Sequence, residues 1–226
     1  MTGVNGPALA VEPRAPRWQQ VLPRLRRAIL SGEIAPGTRL VPEQLAQAAG
    51  VSRGPVVDAI RRLGEEGLVT IAPNGRPFVR GLTSKHLRDL SAFRAQLEVF
   101  AARAAIAAGR HAEVDALEAD VETMRQYESR DSIERLADAD VSFHEHLIAL
   151  GGNDVANRAW ASIADFTRSL LSVSDWLISP NRQVASAHRS IVDALVRGDV
   201  PAVERAILAH YDVSTEAMTG AGLVHV

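Results

Sequence analysis

The chain contains no cysteine, which excludes disulfides, thiolate catalysis and cysteine-ligated zinc. Aromatic residues make up only 4 % of its 226 residues. A core must therefore be built from alanine, leucine, valine and isoleucine, which favours helices over an aromatic-rich β-sandwich. No apolar run approaches the ~20 residues of a membrane span, so no membrane association is expected. Residues 1–16, MTGVNGPALAVEPRAP, lack the charged start and apolar stretch of a secretory signal. They read as a disordered arm, and a cytoplasmic protein is expected. The net charge of −2 excludes a uniformly basic coating protein and an acidic disordered tail. What the chain does have is 46 % hydrophobic residues, enough to fill a core. Its length allows one large domain or two small ones at ~100–200 residues each.

The small net charge hides an asymmetry. Residues 17–82 carry ten arginines, no lysine and five acidic residues, a net +5, whereas residues 83–226 carry a net −7. A basic segment beside an acidic one suggests two domains with different partners, the basic one suited to a polyanion. Chance alone could also produce such a split.

Apolar residues at Trp18, Val21, Leu22, Leu25, Ile29 and Leu30 have helical spacing. Pro42 can open a second helix that Gly50 ends, and Ser52 is placed to cap a third with Val56, Ala59, Ile60 and Leu63 inward. Leu68–Ile71 and Pro77–Arg80 read as strands around a Pro73-Asn74-Gly75 turn. From Thr83 onward the pattern is helical throughout. Helices are expected to about Ala108 and at about 111–128, 131–150, 153–178, 180–198 and 200–219, with breaks at Gly109, Gly151-Gly152-Asn153, Pro180 and Gly198–Pro201. Short breaks between long helices imply an antiparallel bundle. The expected fold is mainly α: a winged helix-turn-helix over 17–82, an antiparallel helical bundle over 83–220, and a tail at 221–226.

The stretch LAQAAGVSRGPVVDAIRRLGEEGLV places two short helices around a glycine turn, a helix-turn-helix pattern whose second helix would enter the major groove by its N-terminal residues. Arg53 sits at that end, where positive charge and free backbone N–H groups favour a phosphate or a base edge. Arg61 lies outward, Arg62 on its flank, and Arg76 near the tip of the hairpin wing. The candidate DNA-binding residues are Ser52, Arg53, Gly54, Val57, Arg61, Arg62 and Arg76, and the expected partner is double-stranded DNA.

RAILSGEIAPGTRL, LAQAAGVSRGPV and LGEEGLV, occurring in order, resemble the winged helix-turn-helix of GntR-type bacterial transcription regulators. RAQLEVFAARAA, DVSFHEHLIALGGN, AHRSIVDALVRGD and His210 resemble the all-helical ligand domain of the FadR-like branch. The two resemblances together span nearly all of the chain after residue 16. They imply a homodimeric regulator, expected to be a repressor on an inverted-repeat operator. There are departures. The recognition helix reads Ser52-Arg53-Gly54-Pro55-Val56-Val57-Asp58-Ala59-Ile60, where the family's usual order is S-R-T-P-V-R-E-A-L. Val57 therefore replaces an arginine; it either meets a thymine methyl or forgoes one contact. Pro42 stands where the family often has Glu, and the wing departs from the usual order around Arg76.

Asp140 and His144 are four residues apart and share a helix face, while His188 and His210 lie on two later helices. One carboxylate and three imidazoles on three helices can converge on Zn²⁺, Ni²⁺ or Mn²⁺ with one or more positions left open. Helical histidines can equally be surface residues. The resemblance adds that these four positions match the metal-binding pattern of many members of the branch. It further implies a small organic-acid effector spanning the metal and Arg94. Arg94 can fork onto a carboxylate or pair with Glu98 one turn on. Asn153 reads as an N-cap or a pocket residue, and Arg168 is a further effector-site candidate. Two other functions are open: a metal sensor in which the ion is the effector, and a metal-dependent hydrolase, against which it counts that no motif places a second catalytic group.

Overall fold

A computed structural model describes residues 17–128, 132–173 and 183–220. The expected arm, the Pro180 break and the tail lie outside these residues. The N-terminal unit comprises α1 (Trp18–Leu30), α2 (Pro42–Ala49) and α3 (Arg53–Glu65), then β1 (Val69–Ile71) and β2 (Pro77–Val79). Leu22, Leu25 and Ile29 of α1 pack against Val56, Ala59, Ile60 and Leu63 of α3, so one apolar stripe from each helix forms this small core. Gly50 caps α2 in the left-handed conformation, with φ of 65°, and so turns the chain into α3. Ser52 holds the N-cap position of α3 but its side chain makes no capping hydrogen bond, contrary to the sequence expectation. The strands pair antiparallel with Val69 opposite Val79 and Ile71 opposite Pro77, and an isolated bridge adds Arg39 opposite Phe78.

The rest of the described chain is α4 (Ser84–Ala107), α5 (Asp115–Glu128), α6 (Ile133–Leu150), α7 (Asp154–Ser172), α8 (Val184–Val196) and α9 (Val200–Gly220). α4 packs on α9, α9 on α8, α8 on α5, α5 on α6 and α6 back on α4, closing a ring of five helices. α7 lies outside that ring, against α6 on one side and α1 on the other. Several helices are shorter than the periodicity suggests, α8 among them, which ends at Val196 rather than at 198. α5 begins at Asp115, because residues 110–113 close a turn through Glu113 N–H and Arg110 C=O at 2.9 Å. α7 ends at Ser172, and residues 174–178 of the expected helix lie outside the described residues.

Two contacts fix how these parts meet. A Cβ on Gly151 would stand only 2.7 Å from the Cα of Ala101 and 2.9 Å from its Cβ, so α4 and the α6–α7 turn touch backbone to backbone. Arg26 of α1 is 3 % exposed. It donates to both carboxylate oxygens of Glu66 at 2.8 and 2.6 Å, and its Nη1 reaches the Asp165 carbonyl (3.3 Å) and Ser169 Oγ (3.2 Å) on α7. One guanidinium thus joins the end of α3 to the bundle. Beside it, His86 stacks on Phe166 with ring centroids 5.4 Å apart. Burial, and then nearby Arg80, lower the pKa of His86.

Candidate functional site

Asp140, His144, His188 and His210 each offer a ligand atom, and all four atoms lie within 4.8 Å of one another. They meet because α6, α8 and α9 turn one face each toward the ring interior. Asp140, His144 and His188 are buried and His210 is partly so. His188 Nδ1 lies 2.8 Å from the Val184 carbonyl, which fixes the proton on Nδ1 and leaves the Nε2 lone pair facing inward. His144 Nδ1 lies 2.8 Å from Glu98 Oε1, close enough to hold the proton there, though the pair lacks hydrogen-bond alignment. The two Nε2 atoms consequently face each other at 3.4 Å. Asp140 oxygens lie 3.4 Å from His188 Nε2 and 3.6 Å from His144 Nε2.

Facing lone pairs beside a carboxylate call for a cation. Ligands ~2.0–2.1 Å from a tetrahedral ion stand roughly 3.3 Å apart, close to these separations. The donor set therefore fits a divalent ion, with Glu98 as the outer carboxylate that orients one imidazole. Burial works to raise the Asp140 carboxyl, but the close approach of His188, with neighbouring His144 and Arg94, prevails and holds it well below the usual carboxylate range. Burial, then His188 and His144, push His210 well below the usual imidazole range, so it offers a neutral nitrogen.

Arg94 lies beside this cluster. Its guanidinium carbon is 5.2 Å from the Trp160 ring centroid and 4.9 Å from that of Tyr211. Its Nε and Nη2 are buried with no hydrogen-bond partner. Glu98 instead accepts from the Tyr211 hydroxyl, so the expected alternative of an Arg94–Glu98 pair is absent among the described residues. Burial raises the Tyr211 pKa well above the usual phenol value, with Glu98 adding to the rise against Arg94. Trp160 and Tyr211 were not singled out from the sequence, and Glu98 was read only as a partner for Arg94. Glu98 had a signal, four residues after Arg94 on the same face; the other two reach the site only through tertiary packing.

Two effector-site expectations end elsewhere. Asn153 is the N-cap of α7, its side-chain oxygen accepting from the Val155 and Ala156 N–H groups at 2.9 and 3.0 Å. Arg168 turns outward, where Asp165 and Asp138 hold it at 2.8 and 3.1 Å.

On the N-terminal unit, Ser52, Arg53, Gly54, Val57, Arg61 and Arg76 are all exposed. Arg53, Val57 and Arg61 line one side of a groove whose other side is Thr70, Ile71 and Gly75 of the wing. Arg53 Nε rests on Glu43 at 2.6 Å, and Arg61 pairs with Glu65. Arg62 departs from the group: its guanidinium lies 3.7 Å from the Trp18 ring centroid, and its Nε is buried without a partner. An aromatic ring on α1 draws it to the interior side of α3.

Residues 18–79 match the family described as bacterial regulatory proteins, gntR family, and residues 89–213 match the FCD domain. The HTH-type transcriptional repressor RspR of Escherichia coli (strain K12) is 29 % identical over 211 residues, covering 92 % of this chain and 91 % of that protein. An HTH-type transcriptional regulator from an unstable DNA locus of Streptomyces ambofaciens is 32 % identical over 203 residues, covering 83 % of this chain and 78 % of that protein. Among solved structures, E. coli McbR/YncC superposes with a TM-score of 0.65 at 17 % identity, covering 90 % of this chain and 97 % of that one. A GntR family member from Pseudomonas syringae pv. tomato str. DC3000 gives 0.54 at 24 %, covering 92 % and 87 %.

Proposed function

Because the chain belongs to the gntR family of bacterial regulatory proteins and carries an FCD domain, we propose that it is a metal-dependent, carboxylate-responsive repressor acting as a homodimer on an inverted-repeat operator. It is a DNA-binding transcriptional regulator and not an enzyme. No helix among the described residues is long and apolar enough to cross a membrane. The observation that carries the effector reading is Arg94. A buried guanidinium with two unpartnered nitrogens, next to four convergent metal ligands, asks for an anion that also reaches the ion. A small organic acid meets both demands with its carboxylate. A bound metal (zinc, nickel or manganese) would supply an electrophilic point for one oxygen of the acid, and Arg94 would hold the other. RspR is named a repressor, which supports the repressor reading.

On the DNA side, Arg53, Val57, Arg61 and Arg76 would face the operator, with Ser52 and Gly54 at the close approach of the helix N-terminus to the backbone. Arg53 must leave Glu43 to do so. Arg53→Ala should weaken specific operator binding by ~1–3 kcal/mol, the range of one good bidentate base contact. Gel-shift titration on the protein's own operator measures this, and unchanged affinity would remove Arg53 from the interface.

The effector reading is tested by thermal shift with a panel of organic acids, metal present. The best acid should raise the Tm of the wild type and lose most of its effect on Arg94→Ala and on metal-stripped protein. It should change operator affinity about 5–150-fold, the span of a ~1–3 kcal/mol coupling. An acid that stabilises all three forms equally binds elsewhere. If no acid acts while metal alone changes operator affinity, the ion itself is the effector.

A further inference from the structure

Arg62 is the member of the expected DNA-binding set that is not exposed, and it lines a cleft between the N-terminal unit and the bundle. The cleft has a volume of about 500 Å³, inside the ~300–1,000 Å³ range of small-molecule sites. One wall comes from α1 and α3, with Trp18, Leu22 and Arg62; the other comes from α4 and α7, with His86, Leu90 and Phe166. Three carboxylates also line it, and each already has a cation: Glu65 pairs with Arg61, Glu66 with Arg26 and Asp165 with Arg168. None of the three serves Arg62. Its guanidinium rests against the Trp18 ring, and its Nε is buried with no acceptor. A donor on a charged group is costly to leave unsatisfied out of water. His86 does not compete for an anion, because burial and then Arg80 favour its neutral form.

We propose that this cleft is a second ligand site, sharing no residue with the metal cluster, and that it takes a small aromatic acid with a single anionic group. The carboxylate accepts from Arg62 Nε, which no protein group satisfies. The ring lies among Trp18, Leu90 and Phe166, where aromatic contacts add to apolar burial. His86 and Phe166 are stacked with only 6° between their planes, so together they offer a flat surface to a flat ligand. A second anionic group on the ligand meets the three carboxylates of the lining and is disfavoured. A cation finds those carboxylates already matched. The ligand touches both units at once, so it binds the arrangement in which α3 and α1 face α7. It favours that arrangement by its differential affinity for it. An acid at the metal cluster acts inside the ring of helices, whereas one here acts at the joint with the reading head. The site needs neither the metal nor Arg94, and so stands apart from the effector reading above.

The test is calorimetric titration of the full-length protein with 2-naphthoate and with its uncharged analogue 2-naphthylmethanol. Two variants address the cleft. Arg62→Met keeps a flexible chain over Trp18 but removes the charge. Ser162→Trp retains the arginine and fills the cleft from an exposed position on α7. Naphthoate should bind the wild type and Arg94→Ala with equal affinity, with or without chelator. Arg62→Met should bind it roughly 10- to 100-fold more weakly, the loss of one charge-assisted hydrogen bond, and naphthylmethanol should show the same deficit on the wild type. Ser162→Trp should abolish binding with an unchanged far-UV spectrum. Naphthoate that binds Ser162→Trp or Arg62→Met as it binds the wild type overturns the site. Equal binding of the alcohol overturns the role of Arg62. Binding lost in Arg94→Ala or on chelation places the acid at the metal cluster, which overturns this proposal and supports the effector reading. A wild type that binds neither compound overturns the ligand class, and the effector reading is untouched.

Discussion

Replacing His188 with alanine should abolish retention of a divalent metal and lower the Tm by roughly 5–15 °C, if the site is filled 100- to 1,000-fold above its Kd. The ligands come from three helices of the ring, α6, α8 and α9, so an ion in their midst is bound by the folded state alone. At those occupancies it stabilises by ~2.7–4.1 kcal/mol. Chelation of the wild type should give a similar loss, and chelating the variant should give almost none. Elemental analysis together with calorimetry of untagged protein decides it; full metal content in His188→Ala would mean that the four residues meet for another reason. The pH dependence has a definite sign. His210 is held neutral in the folded state by burial and by His188 and His144. The unfolded chain binds a proton there near the ordinary imidazole value of ~6.5. Stability from this group is therefore fully present above ~6.5 and lost as pH falls below it, and protons compete with the metal over the same range. Metal affinity measured at pH 7.5 should exceed that at pH 5.5; equal affinities would contradict a neutral His210 ligand.

The second large effect is expected far from the metal. Arg26→Met should cost about 3–5 kcal/mol, because it strips the partner from a carboxylate held mostly out of water. Glu66 is 16 % exposed and loses two hydrogen bonds at once. The Asp165 carbonyl and Ser169 hydroxyl lose their contact with α1 as well. Converting both members, Arg26→Met with Glu66→Met, should recover much of the loss, since an apolar pair leaves no stranded charge. Urea denaturation of the two single variants and the double variant measures the coupling. A cost below ~1 kcal/mol for Arg26→Met would place this contact with ordinary surface pairs.

The helix order and the wing were legible in the sequence because each is written locally, whereas the meeting of Asp140 and His144 with His188 and His210 was implied only by the family resemblance. Asp140 and His144 repeat at one helical turn, and α1 and α3 each carry one apolar stripe. The surroundings of Arg94 were not legible. Trp160 and Tyr211 lie 66 and 117 positions further along the chain, and only the closure of the ring brings them to the same guanidinium. Arg62 illustrates a different failure: spacing assigns its flank of α3, but Trp18 on a neighbouring helix decides which way the long side chain runs. Arg168 was claimed by Asp138 and Asp165, a surface preference that periodicity does not contain. Arg26 sits on the apolar stripe of α1 between Leu22 and Ile29, so its position was readable as inward even though its partners on α3 and α7 were not.

Backbone contact between Gly151 and Ala101 leaves no slack at the start of α7. The other end of that helix, around Asp165 and Ser169, touches the N-terminal unit through Arg26. A rod pinned at one end swings most at the other. Over the ~22 Å between Asp154 and Ser169, a tilt of about 5° would displace the far end by about 2 Å. Trp160 lies part-way along, against Arg94, so a small push there is magnified at the far end before it reaches the reading head. A ligand that pushed on Trp160 would in this geometry use the helix outside the ring as a pointer, with its pivot set by a glycine.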